Sequence, residues 1–223
     1  MNIVSKIEKQ KKTGSIESPR PQKPIPLDKE KDLPLHELIK EGESDTLEFK
    51  ASMLRPIRPD PEILKMEGRI KNAVNDEEKK TFEKRLRELQ KILHEELRKA
   101  IIKTIAAFMN CEGGLLLVGV QDDGQVCGID NDFETLNERK NWDGWVQFLV
   151  NLIRDEIGAE FTVKIKRILH ENRTVAKIIV EKSARPAYVE RKDVEFYIRS
   201  SNTTHELNTK QASDYIRGHW KNS

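Results

Sequence analysis

The sequence is poor in everything that marks a secreted, membrane-embedded or zinc-built protein. It has two cysteines, Cys111 and Cys127, in 223 residues. Two thiols do not make a tetrahedral zinc site, and no cysteine–histidine cluster stands near either one. The plain reading is free thiols in a reducing compartment. Five histidines, His36, His94, His170, His205 and His219, are scattered without metal-ligand spacing. No Ser/His/Asp or Cys/His arrangement stands out. No apolar run approaches the ~20 residues of a membrane-spanning helix. Met1 to Lys12 carries lysines but lacks the long apolar stretch of a secretory signal. These absences create the expectation of a soluble, cytoplasmic chain with no membrane partner. An excess of one charge is missing too: 40 Lys and Arg face 38 Asp and Glu, a net +2. Total charge therefore does not point to a protein that coats DNA, although a local patch is enough to neutralise phosphates.

What is present is charge in bulk. Charged residues are 35% and hydrophobic residues 36% of the chain, so part of it is expected to lie outside a packed core. Residues 1–31 read as a disordered, basic, proline-rich tail, with Pro19, Pro21, Pro24 and Pro26 among lysines and few large apolar residues. Residues 32–223 read as one domain.

Within it, Leu35, Leu38 and Ile39 share a helix face, and Gly42 stops that helix. Thr46 to Lys50 alternates as a half-buried strand, with Leu47 and Phe49 inward and Glu48 and Lys50 on the other face. After the prolines at 56, 59 and 61, a helix is expected over Glu62 to Asn75. Asn75 and Glu78 then open a second helix with a capping box. In that helix Phe82, Leu86, Leu89, Leu93, Leu97, Ile101, Ile105 and Phe108 keep one face without a break. These two helices read as a helical hairpin whose second arm runs into the core. A coiled-coil dimer is a sharper reading of the same repeat.

Leu115 to Val120 is a central strand and Val126 to Ile129 a returning one. A helix capped by Asp143 follows, then strands over Phe161–Ile168, Thr174–Val180 and Val194–Ile198. A last helix, capped by Asn208 or Thr209, ends the domain. The class is α+β: a mixed β-sheet flanked by helices.

Four constellations carry candidate chemistry. Glu48 and Lys50 share a strand face, and Glu43 lies one loop away. Two neighbouring carboxylates repel unless a cation lies between them, and magnesium or manganese suits oxygen ligands. A lysine beside them suits a phosphate oxygen gaining charge. The plain alternative is an ordinary exposed strand face. Asp122-Asp123-Gly124 follows the central strand and is either a positioned carboxylate or a common turn. Gly113 and Gly114 allow backbone amides to approach a phosphate, or simply turn the chain from helix to strand. Arg199, Ser200, Asn202 and Thr203 can grip an anion, or form a hydrogen-bonded loop before the last helix.

Together, Glu43-Ser-Asp-Thr-Leu-Glu-Phe-Lys50, Ile105-Ala-Ala-Phe-Met-Asn-Cys-Glu-Gly-Gly114 with Leu115 to Gly128, Asp143-Gly144 ahead of Ile157-Gly158, and Phe196-Tyr-Ile-Arg-Ser-Ser-Asn-Thr-Thr204 resemble the AlbA-like domain of Schlafen proteins and its prokaryotic relatives. The resemblance runs from about Leu33 to Trp220, and relative to it the helical segment 55–95 is an insertion. It implies a mixed α/β fold and association with RNA or DNA. By analogy with the members that cut RNA, it implies a metal-dependent nuclease in stress response or phage defence. Glu43, Glu48 and Asp122 (Asp123 as the fallback) would hold magnesium or manganese, and Lys50 would be the catalytic lysine. Schlafen nucleases pair two lobes, so this single lobe implies a homodimer or a partner protein. Two alternatives stay open: a non-catalytic, regulatory DNA- or RNA-binding module, and an ATP- or nucleotide-binding module at Gly113, Gly114 and Arg199.

Overall fold

The computed structural model describes Lys29 and residues 31–220. The expected tail, residues 1–31, therefore lies almost wholly outside the described residues. Six helices and seven strands follow in the order α1 (Leu35–Glu41), β1 (Leu47–Lys50), α2 (Pro61–Lys71), α3 (Asp76–Asn110), β2 (Gly114–Val118), α4 (Asp130–Phe133), α5 (Trp142–Glu156), β3 (Lys164–His170), β4 (Arg173–Val180), β5 (Tyr188–Glu190), β6 (Val194–Ser200), β7 (Thr203–Glu206) and α6 (Thr209–His219).

The α+β class holds, but the strands form two sheets rather than one. The first has the order β1-β2-β4-β3, the second β5-β6-β7. Only β1 and β2 run parallel; the other pairs are antiparallel. The parallel step is possible because the α2–α3 hairpin connects β1 to β2, and a parallel pair needs a long crossover.

Both faces of the first sheet are covered. Leu47, Phe49, Leu115, Leu117, Val175 and Ile179 meet α1 through Leu35 and Leu38. Leu116, Val118, Ala176 and Ile178 meet Ile101, Ile105 and Phe108 of α3 and Trp145 and Leu149 of α5. Successive strand residues point to opposite faces, so one continuous apolar run serves both.

Asn110, fully buried at the end of α3, ties that helix to the second sheet. Its amide donates to the carbonyls of Ala187 (2.8 Å) and Tyr197 (2.9 Å) and accepts from Ala187 N (2.8 Å). Its carbonyl accepts from Tyr215 Oη at 2.8 Å, which pins α6 to the same point.

Several local expectations change. β1 is buried on both faces, because β6 and α3 cover the side that carries Glu48. Val126 makes a single bridge to Val120 rather than a strand; the amides of Cys127 and Gly128 both turn to the Gly119 carbonyl at 2.9 Å. α2 starts one residue early, with Asp60 as its cap and Pro61 in its first turn, and it ends at Lys71. Asn141, not Asp143, caps α5 by accepting from Gly144 N at 3.0 Å. Asn75 does cap α3, accepting from Glu78 N at 2.8 Å, while Glu78 reaches back to Val74 N at 3.0 Å. Asn208 and Gln211 form a full capping box on α6. Three elements had no expectation: α4, β5 and β7.

Candidate functional site

The free edge of β1 is where the candidate residues meet. β1 pairs only with β2, so its outer backbone groups need other partners. Glu43 supplies one: its Oε1 accepts from Phe49 N at 2.9 Å. A tight turn makes this possible. Ser44 N donates to the Leu47 carbonyl (2.8 Å), and Ser44 Oγ accepts from Thr46 N (3.2 Å) and Leu47 N (3.1 Å). Gly42, at φ 74°, releases the chain from α1 into that turn.

Glu48 is only 8% exposed. Lys50, two residues on and on the same face, donates from Nζ to Glu48 Oε1 and to the Phe49 carbonyl (2.8 Å). From the second sheet comes Arg199, whose side chain is 0% exposed. Its Nη2 donates to the carbonyls of Ser44 (2.6 Å) and Leu47 (3.1 Å), and its Nε to Ser44 (3.0 Å). The guanidinium lies over the Phe108 ring, 5.0 Å from its centroid. Arg199 Nη2 is also 2.6 Å from Glu48 Oε2, yet that oxygen makes no hydrogen bond. The reason is geometric: the hydrogens of Nη2 are directed at the two carbonyls, so the contact is a charge pairing only.

The charge of Asp122 reaches Glu43, whereas Asp123 is occupied in its own turn. Asp123 Oδ1 accepts from Gln125 N at 2.9 Å and is used in the turn. Asp122 acts on Glu43 electrostatically. Burial pushes the Glu43 carboxyl above its ordinary 4.5, and the charges of Glu48 and Asp122 push the same way; the Phe49 hydrogen bond and Lys50 oppose them. The sign follows. A folded carboxyl with a raised value favours its protonated form, so this contribution is fully present below the unfolded value and lost as pH rises through the folded one. Glu43→Gln is expected to flatten the stability-versus-pH curve just above pH 4.5 relative to wild type. Urea titrations of both proteins across that interval check it; parallel curves would remove Glu43 from the cluster.

The remaining candidates lie elsewhere. Gly113, at φ 80°, stops α3 with its amide on the Phe108 carbonyl (3.0 Å). Gly114 is buried against Phe108, where a Cβ would meet the ring at 2.4 Å. The pair builds a packed helix-to-strand turn. Ser200, Asn202 and Thr203 form the exposed tip of the β6–β7 hairpin, with Ser201 at φ 54°. None of the three hydrogen-bonds to the acidic residues. Among the described residues, no group of three or more His, Cys, Asp or Glu is placed to hold a metal ion.

Sequence reasoning missed the largest polar feature nearby. Asp132, 1% exposed, accepts five hydrogen bonds: Ser52 Oγ (2.7 Å), Met53 N (3.0 Å), Leu54 N (3.2 Å), Arg55 N (2.9 Å) and Trp145 Nε1 (3.1 Å). It anchors the segment leaving β1. Its only signal in sequence is the acidic stretch Asp130-Asn131-Asp132.

The family model described as Schlafen, AlbA_2 matches residues 43–208, which include Glu43, Glu48, Lys50, Asp122 and Arg199. The chain belongs to this Schlafen family. No curated protein matches it. Two solved structures are similar at low identity. One is the DIP2311 protein of Corynebacterium diphtheriae, 16% identical with a TM-score of 0.42, over 78% of this chain and 27% of that one. The other is the N-terminal domain of a Nitrosomonas europaea protein described as related to the ATP-dependent DNA helicase RecG. It is 17% identical with a TM-score of 0.32, over 43% of this chain and 65% of that one. The Schlafen chain thus spans less than two thirds of either. Among its described residues, no helix is long and apolar enough to cross a membrane.

Proposed function

We propose that this Schlafen-family chain binds nucleic acid at the β1 edge, where its charged centre meets the phosphodiester backbone. The observation that carries the reading is the centre itself. Burying Glu48 against Arg199 contributes little to stability, because desolvation offsets the attraction. A charged cluster with a shifted carboxyl at its rim is instead the kind of arrangement found at functional sites. Nucleic acid is the ligand class that the family resemblance implies. Lys50 and the exposed Ser200, Asn202 and Thr203 are donors of the kind that position phosphates.

A second reading, phosphodiester cleavage in stress response or phage defence, is favoured by two observations. Glu43 is shifted toward the range of a proton-transferring carboxyl. Glu48 Oε2 is buried without a hydrogen bond. In this reading Glu43 holds the proton, Lys50 steadies charge on a phosphate oxygen, and Arg199 positions Glu48. The resemblance adds magnesium or manganese. Three carboxylates have the donor chemistry of a hard cation. As placed, however, they do not close around one, because Glu48 leans on Lys50 and Arg199.

One experiment separates the two readings. Labelled transfer RNA and single-stranded DNA are titrated with protein at several salt concentrations, in EDTA and in manganese. Binding that survives EDTA and weakens steadily with salt is the expected result. Cleavage in manganese that is lost in Asp122→Ala would establish the catalytic reading. Absence of binding to both nucleic acids at low salt would end both. Light scattering on the same samples tests the homodimer that the resemblance implies as the alternative to a partner protein.

A further inference from the structure

The inserted hairpin does more than connect β1 to β2. Where its base meets the core, two adjoining cavities open, and His94 of α3 lines both. The smaller, about 190 Å³, has Leu54, Leu136 and Phe148 as its apolar wall and Arg98, Thr135 and Asn137 as its polar groups. The larger, about 310 Å³, continues along the hairpin past Arg55 and Asn131. Joined at His94, they fall within the range of small-ligand sites, which starts at roughly 300 Å³.

The chemistry of the lining is specific. Arg98 Nε donates to the His94 carbonyl at 3.0 Å, which anchors the guanidinium. Neither of its Nη groups bonds to a protein acceptor among the described residues. The Arg55 side chain has no partner there either, although its backbone amide is held by Asp132 and Ser52. Two guanidinium groups with free Nη donors, Arg98 in the smaller cavity and Arg55 in the larger, suit a phosphate. The acidic groups of the larger cavity are Asp60 and Glu67. Asp60 is occupied as the α2 cap, accepting from Glu62 N at 2.8 Å and Ile63 N at 3.3 Å.

Among the described residues the His94 imidazole makes no hydrogen bond to protein, and burial, then the neighbouring arginines, lower its pKa below the usual value. A neutral imidazole offers one donor and one acceptor, and Asn137 offers both as well. These match the edge of a nucleobase, and the Phe148 ring beside them offers a face for stacking.

We infer that the cavity at His94 is a binding site for one nucleotide unit, a planar base carrying a phosphate, with the base against Phe148 and His94 and the phosphate on Arg98 and Arg55. The site is separate from the β1 edge: His94 and Phe108 are fourteen residues apart on one helix, roughly 21 Å at the usual rise. The unit comes either as a free mononucleotide or as one residue of a strand crossing the domain.

The test uses the full chain. Calorimetry with AMP, GMP, CMP and UMP is set beside inorganic phosphate and adenosine, and beside anisotropy with a single-stranded oligonucleotide. Wild type, Arg98→Gln, His94→Gln and the exposed β3 variant Lys166→Gln are compared, with thermal melts to confirm folding. The expected result is saturable binding of at least one mononucleotide, tighter than phosphate or nucleoside alone. It should weaken about tenfold in Arg98→Gln and His94→Gln and stay unchanged in Lys166→Gln. A tenfold loss seen only with the oligonucleotide assigns the site to a strand and also sustains the inference. Mononucleotide binding without strand binding sustains it while ending the nucleic-acid reading of the β1 edge. If either variant unfolds, shifts of the His94 imidazole resonances of wild type on adding mononucleotide or oligonucleotide replace it. No mononucleotide binding, together with strand binding unaffected by both substitutions, or no imidazole shift with any ligand, overturns the inference.

Discussion

Asp132→Ala is expected to lower the unfolding free energy by about 4 kcal/mol, among the largest effects a single substitution produces. The carboxylate accepts five hydrogen bonds in a site with 1% exposure. Removing it leaves buried donors on Met53, Leu54 and Trp145 without acceptors, and each such group costs roughly 1–3 kcal/mol. Part of this is recovered as water enters beside the partly exposed Arg55. For a chain of this length the loss corresponds to a fall in Tm of about 10 °C. Asp132→Asn, which keeps one oxygen but turns an N–H₂ toward other donors, should lose about half as much. Urea denaturation followed by Trp145 fluorescence reads both. A change below about 1 kcal/mol for alanine would mean that the loop after β1 holds without its anchor.

Glu48→Ala is expected to destabilise the fold by about 3 kcal/mol, and Glu48→Ala combined with Arg199→Met to recover most of that loss. Removing one partner of a buried pair leaves the other charge uncompensated, which costs about 3–5 kcal/mol, whereas replacing both by apolar groups is often close to neutral. Arg199 is fully buried, although its three backbone hydrogen bonds and its stacking on Phe108 remain in the single variant, so the lower end applies. A double-mutant cycle in urea measures the coupling. Independent, additive losses would mean that Arg199 serves the Ser44 turn and not Glu48. The result also governs functional assays: loss of activity in Glu48→Ala reports on chemistry only if the variant is folded under the assay conditions.

Much of the scaffold was legible because it depends on neighbours in sequence. The unbroken face from Phe82 to Phe108 specified one long helix, and the helix is there, from Asp76 to Asn110. Asn75 and Asn208 read as caps because the amides they accept from are three residues away. Asn141 and Asp143 show where this fails. Both are good caps, two residues apart. Gly144 decides between them, since a Cβ there would lie 1.9 Å from the Arg139 carbonyl, a close approach that no local pattern reveals. β7 carried no strand expectation because Thr203 to Glu206 is polar; it is a strand because β6 provides its partner.

The candidate site divides along the same line. The sequence alone determined which residue types were available: two carboxylates and a lysine around one short strand, a further carboxylate after β2, and an arginine far along the chain. Spacing of two on a strand places Glu48 and Lys50 on one face whatever the rest of the fold does. Only the tertiary structure decided what they meet. It covered the outward face of β1, turned Arg199 inward onto Ser44, Leu47 and Glu48 across more than 150 residues of chain, and used Asp123 in its own turn. It also built the Asp132 anchor and the His94 cavity from segments with no shared pattern. Periodicity and capping are set by local backbone geometry, so they can be read along the chain. Burial, pairing of charges and shape of a cavity depend on which distant segments pack together, and that is settled only when the two sheets close on α3.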